Sequence, residues 1–434
     1  MTLPPGPPGH PVFGSSLGFR RDPLGTFLAG WRDYGGLVRF RGPFTVFLVS
    51  DPDHLKHILV DNFENYPHPD RFDSKVSVAV GRGLVTTSGA DWRRQRDLVE
   101  PAFHRAHLAG FVEVMAKRSA MMLDRWADGG QVDVQVEMQG LTMEILTRCL
   151  FDADWSDDAE AVGRAVRTEL EHLNRKLVSV VDLPEWVPTP NNRRFVTARK
   201  LLDRLVYRLI AERRAAGPGG DVLSMLMADM SDRQLRDQVK TLFVAGHETA
   251  AATLTWVWYL LGRHPEVTRR VRAELDEVLA GRPPSMSDIP NLKYLRMVLQ
   301  EVLRLYPPLW QVPRMPLRDD EIGGYHVPAG SFLLLSTYIA HRDPSCWDNP
   351  EGFDPERFTR HRSAGRPRYA YLPYAGGPRD CAGMAFANME LAVVVATVLQ
   401  RFTLELVPGH PVEPQPDLAL RAKYGLPMVA RRVS

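Results

Sequence analysis

Residues 232–264 read as one helix of 33 positions without a proline, and no other feature narrows the fold of this chain more. At 1.5 Å per residue such a helix is about 50 Å long, which is long for a globular protein. Ser231 and Asp232 supply N-cap chemistry at its start, and Pro265 stands just beyond its end. Apolar residues at helical spacing predict further helices near 22–34, 90–102, 105–127, 137–152, 157–175, 191–216, 265–281, 291–305 and 383–401. Strands are predicted at 37–41 and 45–50 around Gly42-Pro43, and shorter ones near 322–335 and at the carboxyl terminus. Asp51-Pro52 caps a short helix through Val60. The fold class expected is mainly α with small β-sheets.

Length alone, 434 residues, allows about three domains at roughly 150 residues each. No repeat, low-complexity tract or long polar linker divides the chain. Lys and Arg (54) nearly balance Asp and Glu (52), for a net charge of +2. That balance gives no whole-chain field for binding nucleic acid. The start MTLPPGPPGHPVFG is a stiff, extended lead-in rather than a basic segment followed by an apolar one. The longest apolar run, Leu391–Leu399, is far short of the about twenty residues a membrane span needs. The expectation is a cytoplasmic monomer with no membrane span.

Three cysteines at wide spacing, Cys149, Cys346 and Cys381, form no CxxC pair. They suggest neither a disulfide framework nor a zinc site. A lone Cys is most often a small buried hydrophobe, and Cys149 and Cys346 keep that reading. Cys381 differs. It lies near the end of the Gly- and Pro-rich segment YLPYAGGPRDCAG (371–383), just ahead of a strongly apolar helix. Free backbone N–H groups at a helix start favour a thiolate, and Gly377 and Gly383 allow the backbone to approach a flat ligand.

Three more segments carry chemistry. Ala245–Thr249 reads AGHET inside the long helix. Gly246 permits a close neighbour, Thr249 can donate back to the carbonyl of Ala245, and Glu248 is an ionisable group suited to proton delivery. His247 receives no role. Glu301 and Arg304, three apart in LKYLRMVLQEVLRLY (292–306), share a helix face that also carries apolar residues, so a partly buried pair needing further partners is expected. Trp92 and Arg96 lie four apart on a predicted helix and offer an indole N–H and a guanidinium to one carboxylate-bearing partner.

In this order the segments resemble the cytochrome P450 family over nearly the whole chain. The family's loop is an aromatic, two residues, Gly, one residue, Arg, one residue, Cys, one residue and Gly. Tyr374, Gly377, Arg379, Cys381 and Gly383 fill those places, with Tyr374 where Phe is more usual. The resemblance implies a single domain over 1–434, a triangular helix-rich prism with haem buried between the long distal helix and the Cys loop with its proximal helix. It implies haem b (iron-protoporphyrin IX) ligated by the Cys381 thiolate, with Tyr374, Gly383 and Ala245 against the cofactor. Arg379, Trp92, Arg96 and Arg314 would meet the propionates. Glu248 would relay protons and Thr249 would handle dioxygen. Glu301, Arg304 and Arg357, the last from DPERF (354–358), would form a structural triad behind the Cys loop.

An apolar substrate pocket is expected by the same resemblance from Phe72, Val76, Phe243, Val244, Leu309, Trp310, Val312 and Leu426, under a lid at 157–190. Each of these apolar residues reads equally well as core. The implied substrate is an apolar small molecule: a terpenoid, a polyketide or a fatty acid. No GxGxxG or flavin fingerprint is present, so electrons are expected from a separate ferredoxin and ferredoxin reductase. Arg93, Arg94, Arg366 and Arg368 are a candidate docking patch. Two other classes compete. A haem-thiolate peroxygenase or isomerase is expected to disrupt the acid–alcohol pair, which AGHET keeps intact. A non-catalytic helical binding protein would bind no haem.

Overall fold

A computed structural model describes residues 2–10, 14–42, 45–103, 105–153, 155, 159–179, 183–217 and 219–433. Parts of the expected 37–50 hairpin turn and of the 157–190 lid lie outside them. The described backbone is mainly helical with four small sheets. It gathers into two compact units, each assembled from stretches far apart in sequence: Met1–Asp70 with Met297–Cys381, and Arg71–Arg296 with Ala382–Ser434.

The first unit is organised by a four-stranded sheet in the order Leu37–Phe40, Val46–Val49, Phe332–Leu335, Val312–Arg314. The middle pair is parallel and the outer pairs antiparallel. The proline arm lies along this sheet. The Arg39 amide donates to the Pro5 carbonyl (2.8 Å), and a side chain at Gly6 would collide with the Arg39 carbonyl. A hairpin pairs Asp320–Ile322 with Tyr325–Val327, and its turn residues Gly323 and Gly324 both have positive φ (57° and 81°), as a two-residue hairpin turn requires. Leu37, Phe47, Val49, Leu55, Leu59, Leu333 and Leu372 share one apolar core here.

The second unit is built on the predicted long helix, observed at Asp232–Arg263. Ser231 caps it in a full capping box with Gln234. The helix packs along Val134–Phe151: Trp258 Nε1 donates to Met138 Sδ (3.3 Å), and Thr142 Oγ1 to the His247 carbonyl (3.1 Å). Two antiparallel-sheet strands, Phe402–Leu406 and Pro427–Arg432, join Gln131–Asp133. The Met384–Arg401 helix is apolar and long enough to cross a membrane, yet 67 % of it is buried inside this unit, where it serves as core.

Five short helices escape the periodicity reading: Ser16–Arg21, Asp70–Val80, Val222–Met227, Thr337–Ala340 and Arg360–Ser363. Val76, Val78 and Val80 alternate as a strand would, and β-branched residues disfavour helix locally. Tertiary contacts override that preference. The buried Lys75 donates to the carbonyls of Lys176 and Ser179 at the end of Ala159–Val178, which ties Asp70–Val80 to its neighbour.

Candidate functional site

The Cys381 loop is anchored at its upstream end. Tyr371 donates its hydroxyl to the Gln300 carbonyl (2.9 Å), and the Leu372 amide donates to His341 Nε2 (2.8 Å). Ala375 and Gly377 then take positive φ (58° and 73°). The Asp380 amide donates to the Gly377 carbonyl (3.1 Å), and the Cys381 amide to the Tyr374 carbonyl (3.0 Å). Cys381 itself is exposed. Burial, with Cys381 nearby, pushes the Tyr374 phenol up, so it stays protonated. The following helix starts at Met384 with Gly383 as its N-cap, which puts Cys381 two residues before the cap. A side chain at Gly377 would strike the Leu59 carbonyl, so that position is closed by protein backbone. At Gly383 an added Cβ would meet only ordinary contacts with Phe103.

Glu301, Arg304 and Arg357 do come together. Arg304 forks onto Glu301 (2.7 and 2.8 Å), and Arg357 Nε donates to Glu301 Oε1 (2.9 Å). Glu301 and Arg304 are 0 % exposed and Arg357 2 %. The guanidiniums also donate to the carbonyls of His341, Asp348, Asn349, Pro350 and Gly352. The expected intrahelical pair is therefore a buried cross-link of the whole 341–357 stretch. Trp347 roofs it, with Arg304 at 5.2 Å and Arg366 at 4.0 Å from its ring. Arg366 donates to the Arg357 carbonyl. It belongs to this cluster and not to an open docking patch.

His341 connects cluster and loop, and sequence reasoning passed over it. Its Nδ1 faces the Arg304 carbonyl (3.2 Å) and its Nε2 accepts from Leu372, which assigns the proton to Nδ1. Burial, with the adjacent Arg304 and Arg342, pushes its pKa down to about 3. The folded state therefore holds His341 neutral while the unfolded chain protonates it near 6.5. Its contribution to stability is full above pH 6.5 and falls as pH drops from there toward 3, by up to about 1.4 kcal/mol per unit. Denaturant titrations between pH 7 and 4 are expected to show that slope, and His341→Gln to flatten it. An unchanged slope in the variant would refute the assignment. The only signal for His341 and Trp347 in the sequence is the density of Arg and aromatic residues from 338 to 371.

In the second unit, Thr249 Oγ1 donates to the Ala245 carbonyl (2.7 Å), the back-bond its spacing suggests. Glu248 is buried, and its Oε2 has no hydrogen-bond partner among the described residues. His247 Nε2 lies 3.8 Å from that oxygen, and His247 Nδ1 faces the Phe243 carbonyl. Burial pushes the His247 pKa down against the opposing pull of Glu248. The close neighbour that Gly246 admits is Leu146 of Val134–Phe151. Trp92 is buried on Gly89–Val99, and Arg96 Nε donates to Glu100 Oε2 (3.0 Å) on the next turn. Arg314, in the first unit, is a buried guanidinium at the end of its strand, with Nη1 on the Pro313 carbonyl (2.8 Å).

The expected pocket residues divide. Phe72, Val76 and Val244 join one apolar cluster with Ala79, Val80, Leu173 and Phe195, drawn from four helices. Phe243 packs instead on Trp155 (5.6 Å). In the first unit Trp310 packs on Phe27 (5.9 Å), Val312 on the sheet core, and the Leu309 carbonyl accepts from Thr337. Leu426 is fully buried, with its amide on Asp133 Oδ1. Phe243, Trp310 and Leu426 are buried and Val312 is partly buried, each against neighbours of its own unit.

No group of three or more His, Cys, Asp or Glu side chains that could hold a metal ion occurs among the described residues. A single exposed thiol cannot retain iron alone, so its donor chemistry suits a metal already held in a macrocycle. The Cytochrome P450 family profile matches residues 4–427. The chain is 38% identical over 433 residues to cyclooctatin synthase of Streptomyces melanosporofaciens, covering 97% of this chain and 94% of that protein. It is 36% identical to cyclooctat-9-en-7-ol 5-monooxygenase of the same organism (93% and 90% covered) and 32% to pentalenene oxygenase of Streptomyces avermitilis (94% and 92%). Among solved structures it resembles a retinoic-acid-bound cyanobacterial CYP120A1, with a TM-score of 0.89 at 25% identity and all of both chains covered.

Proposed function

Because the chain belongs to the cytochrome P450 family, with its fold and its monooxygenase class, we propose that it oxidises a cyclic terpenoid at a haem ligated by Cys381. The match over residues 4–427 supports reading the chain as one catalytic domain. When bound, a thiolate-ligated haem b supplies reductive activation of dioxygen and oxygen transfer to substrate.

The protein's part is to hold, orient and protonate. Cys381 would supply the thiolate that holds the haem iron, presented by a loop pinned through Tyr371 and Leu372. By the family's pattern Arg379, Arg314, Trp92 and Arg96 would hold the two propionates, and Tyr374, Gly383 and Ala245 would also serve to bind the cofactor. Thr249 donates its hydroxyl proton to the Ala245 carbonyl and presents its lone pairs, while Glu248, whose buried Oε2 has no hydrogen-bond partner among the described residues, would relay protons. Glu301, Arg304 and Arg357 position the loop without touching substrate. Electrons come from a separate ferredoxin and its reductase, with Arg93, Arg94 and Arg368 as the basic residues open to a carrier. The protein works in the cytoplasm.

The observation that carries the substrate class is the apolar cluster around Phe72, Val76 and Val244, together with full-length relatives named for cyclooctatin and pentalenene. Titrating the purified ferric protein with cyclic sesqui- and diterpenes, fatty acids and polar ligands tests it. A spin-state shift with the cyclic terpenes is expected. A shift with polar ligands alone would sink the proposal, and one with fatty acids alone would redirect it to lipid oxidation.

A further inference from the structure

One carboxylate in the first unit gathers an unusual set of donors. Asp320 Oδ2 accepts from His57 Nε2 (2.7 Å), Asn62 Nδ2 (2.9 Å) and the Tyr66 hydroxyl (2.6 Å), and its Oδ1 accepts the Glu321 amide (2.8 Å). The three side-chain donors come from a stretch of ten residues. Asn65 fastens the same stretch again: its Oδ1 accepts the Arg318 amide (2.9 Å), its Nδ2 donates to the Arg318 carbonyl, and its own carbonyl accepts the Leu317 amide. Residues 57–66 are thus knitted to 317–320, at the head of the Asp320–Val327 hairpin.

The stretch begins with a single π-helical turn, His57–Asp61. Such turns are wider than an α-helix, rare, and often found at functional positions. Here His57, its first residue, and Asn62, just past its last, meet on one oxygen, so Asp320 closes the turn. Leu59 is its middle residue. Its carbonyl occupies the place where a side chain at Gly377 would go, and Gly377 takes φ +73° against it. Leu59 Cδ1 also lies beneath Gly376. Leu55, Ile58, Leu59 and Tyr66 share the apolar core with Leu372. The Cys381 loop is therefore seated on this turn at Leu372, Gly376 and Gly377.

We propose that Asp320 is a positioning residue for the Cys381 loop: it clamps the 57–62 turn, and the turn fixes Leu59, on which the loop rests. Burial opposes ionisation of Asp320, but the Tyr66, His57, Glu321 and Asn62 donors outweigh it and hold the carboxyl below its ordinary range. Burial and Asp320 together raise the Tyr66 phenol, which keeps it a donor. The consequence for chemistry rests on Cys381 being the haem ligand; the clamp itself does not.

Hydrogen exchange on the purified holoenzyme tests it. Asp320→Asn puts an amide N–H where three donors converge, and Tyr66→Phe removes one donor. Asp320→Asn is expected to speed exchange of the Asp380 and Cys381 amides by about tenfold, and Tyr66→Phe by less. Interior amides of Met384–Arg401 keep their rates. Loss of the thiolate-type reduced carbon-monoxide band on mild warming accelerates in parallel. Asp319→Asn, at an exposed carboxylate that accepts from Ala329, moves neither reading. Faster exchange confined to 57–66, with the loop amides at wild-type rates in both variants, would overturn the proposal. Should Asp320→Asn fail to fold, Tyr66→Phe alone decides by the same criterion. If the wild type lacks the carbon-monoxide band, the haem assignment has failed, and the exchange arm still reports on the clamp.

Discussion

A Cys381→Ala protein is expected to accumulate folded and to lack, completely, the reduced carbon-monoxide band of thiolate-ligated haem. The side chain is exposed and takes no part in the described core, so its loss removes a ligand and not a packing element. Neither remaining cysteine substitutes. Cys149 is buried, and burial with Glu390 nearby pushes its thiol far up. Cys346 is also raised, chiefly by burial, against a smaller opposing effect from Ser345 and Arg366. A thiolate forms least readily where the charged state is least solvated. Cys381→Ser is expected to bind haem weakly and to give a different band. Far-ultraviolet dichroism alongside the spectrum separates ligand loss from unfolding. A thiolate-type band surviving in Cys381→Ala would overturn the haem assignment.

What could be read in advance followed from how local the interaction is. The long helix was legible to within a residue at each end because its cap, its stop and its apolar density all lie within it. The back-bond of Thr249 to Ala245 was legible for the same reason, since four residues on a helix set the geometry. The Glu301–Arg304 pair was legible with its need for further partners, and Arg357 through the family resemblance, but the carbonyls they tie down were not, because those sit some forty to fifty residues from Arg304 on irregular backbone. That Gly246 admits a close neighbour was legible, but neither Leu146 there nor Leu59 at Gly377 was, because both are distant in sequence. Trp310 and Leu426 show the limit for apolar residues, since hydrophobicity alone does not say which neighbour a side chain meets. His341 was invisible because a lone His carries no periodic signal, and only the fold brings it onto Leu372 and Arg304.

Glu301→Gln is expected to be the most destabilising single substitution in the first unit, at roughly 3–5 kcal/mol. The carboxylate accepts four donors: two from Arg304, one from Arg357 and the Asp354 amide. The amide matches its shape but removes its charge and turns one acceptor into a donor, stranding two guanidiniums that water cannot reach. Against a total stability of about 5–15 kcal/mol, that loss leaves little margin, and the melting temperature is expected to fall by roughly 10 °C. Replacing the whole triad with apolar residues, which often rescues a buried ion pair, should fail here. Arg304 and Arg357 also satisfy the carbonyls at 341, 348, 349, 350 and 352, and these would be buried without donors. Because the members share partners, Glu301→Gln with Arg357→Gln should cost less than the sum of the singles. Denaturant titration of the four proteins measures this coupling. A Glu301→Gln protein within 1 kcal/mol of wild type, or strictly additive variants, would show that the triad is not the support on which the Cys381 loop depends.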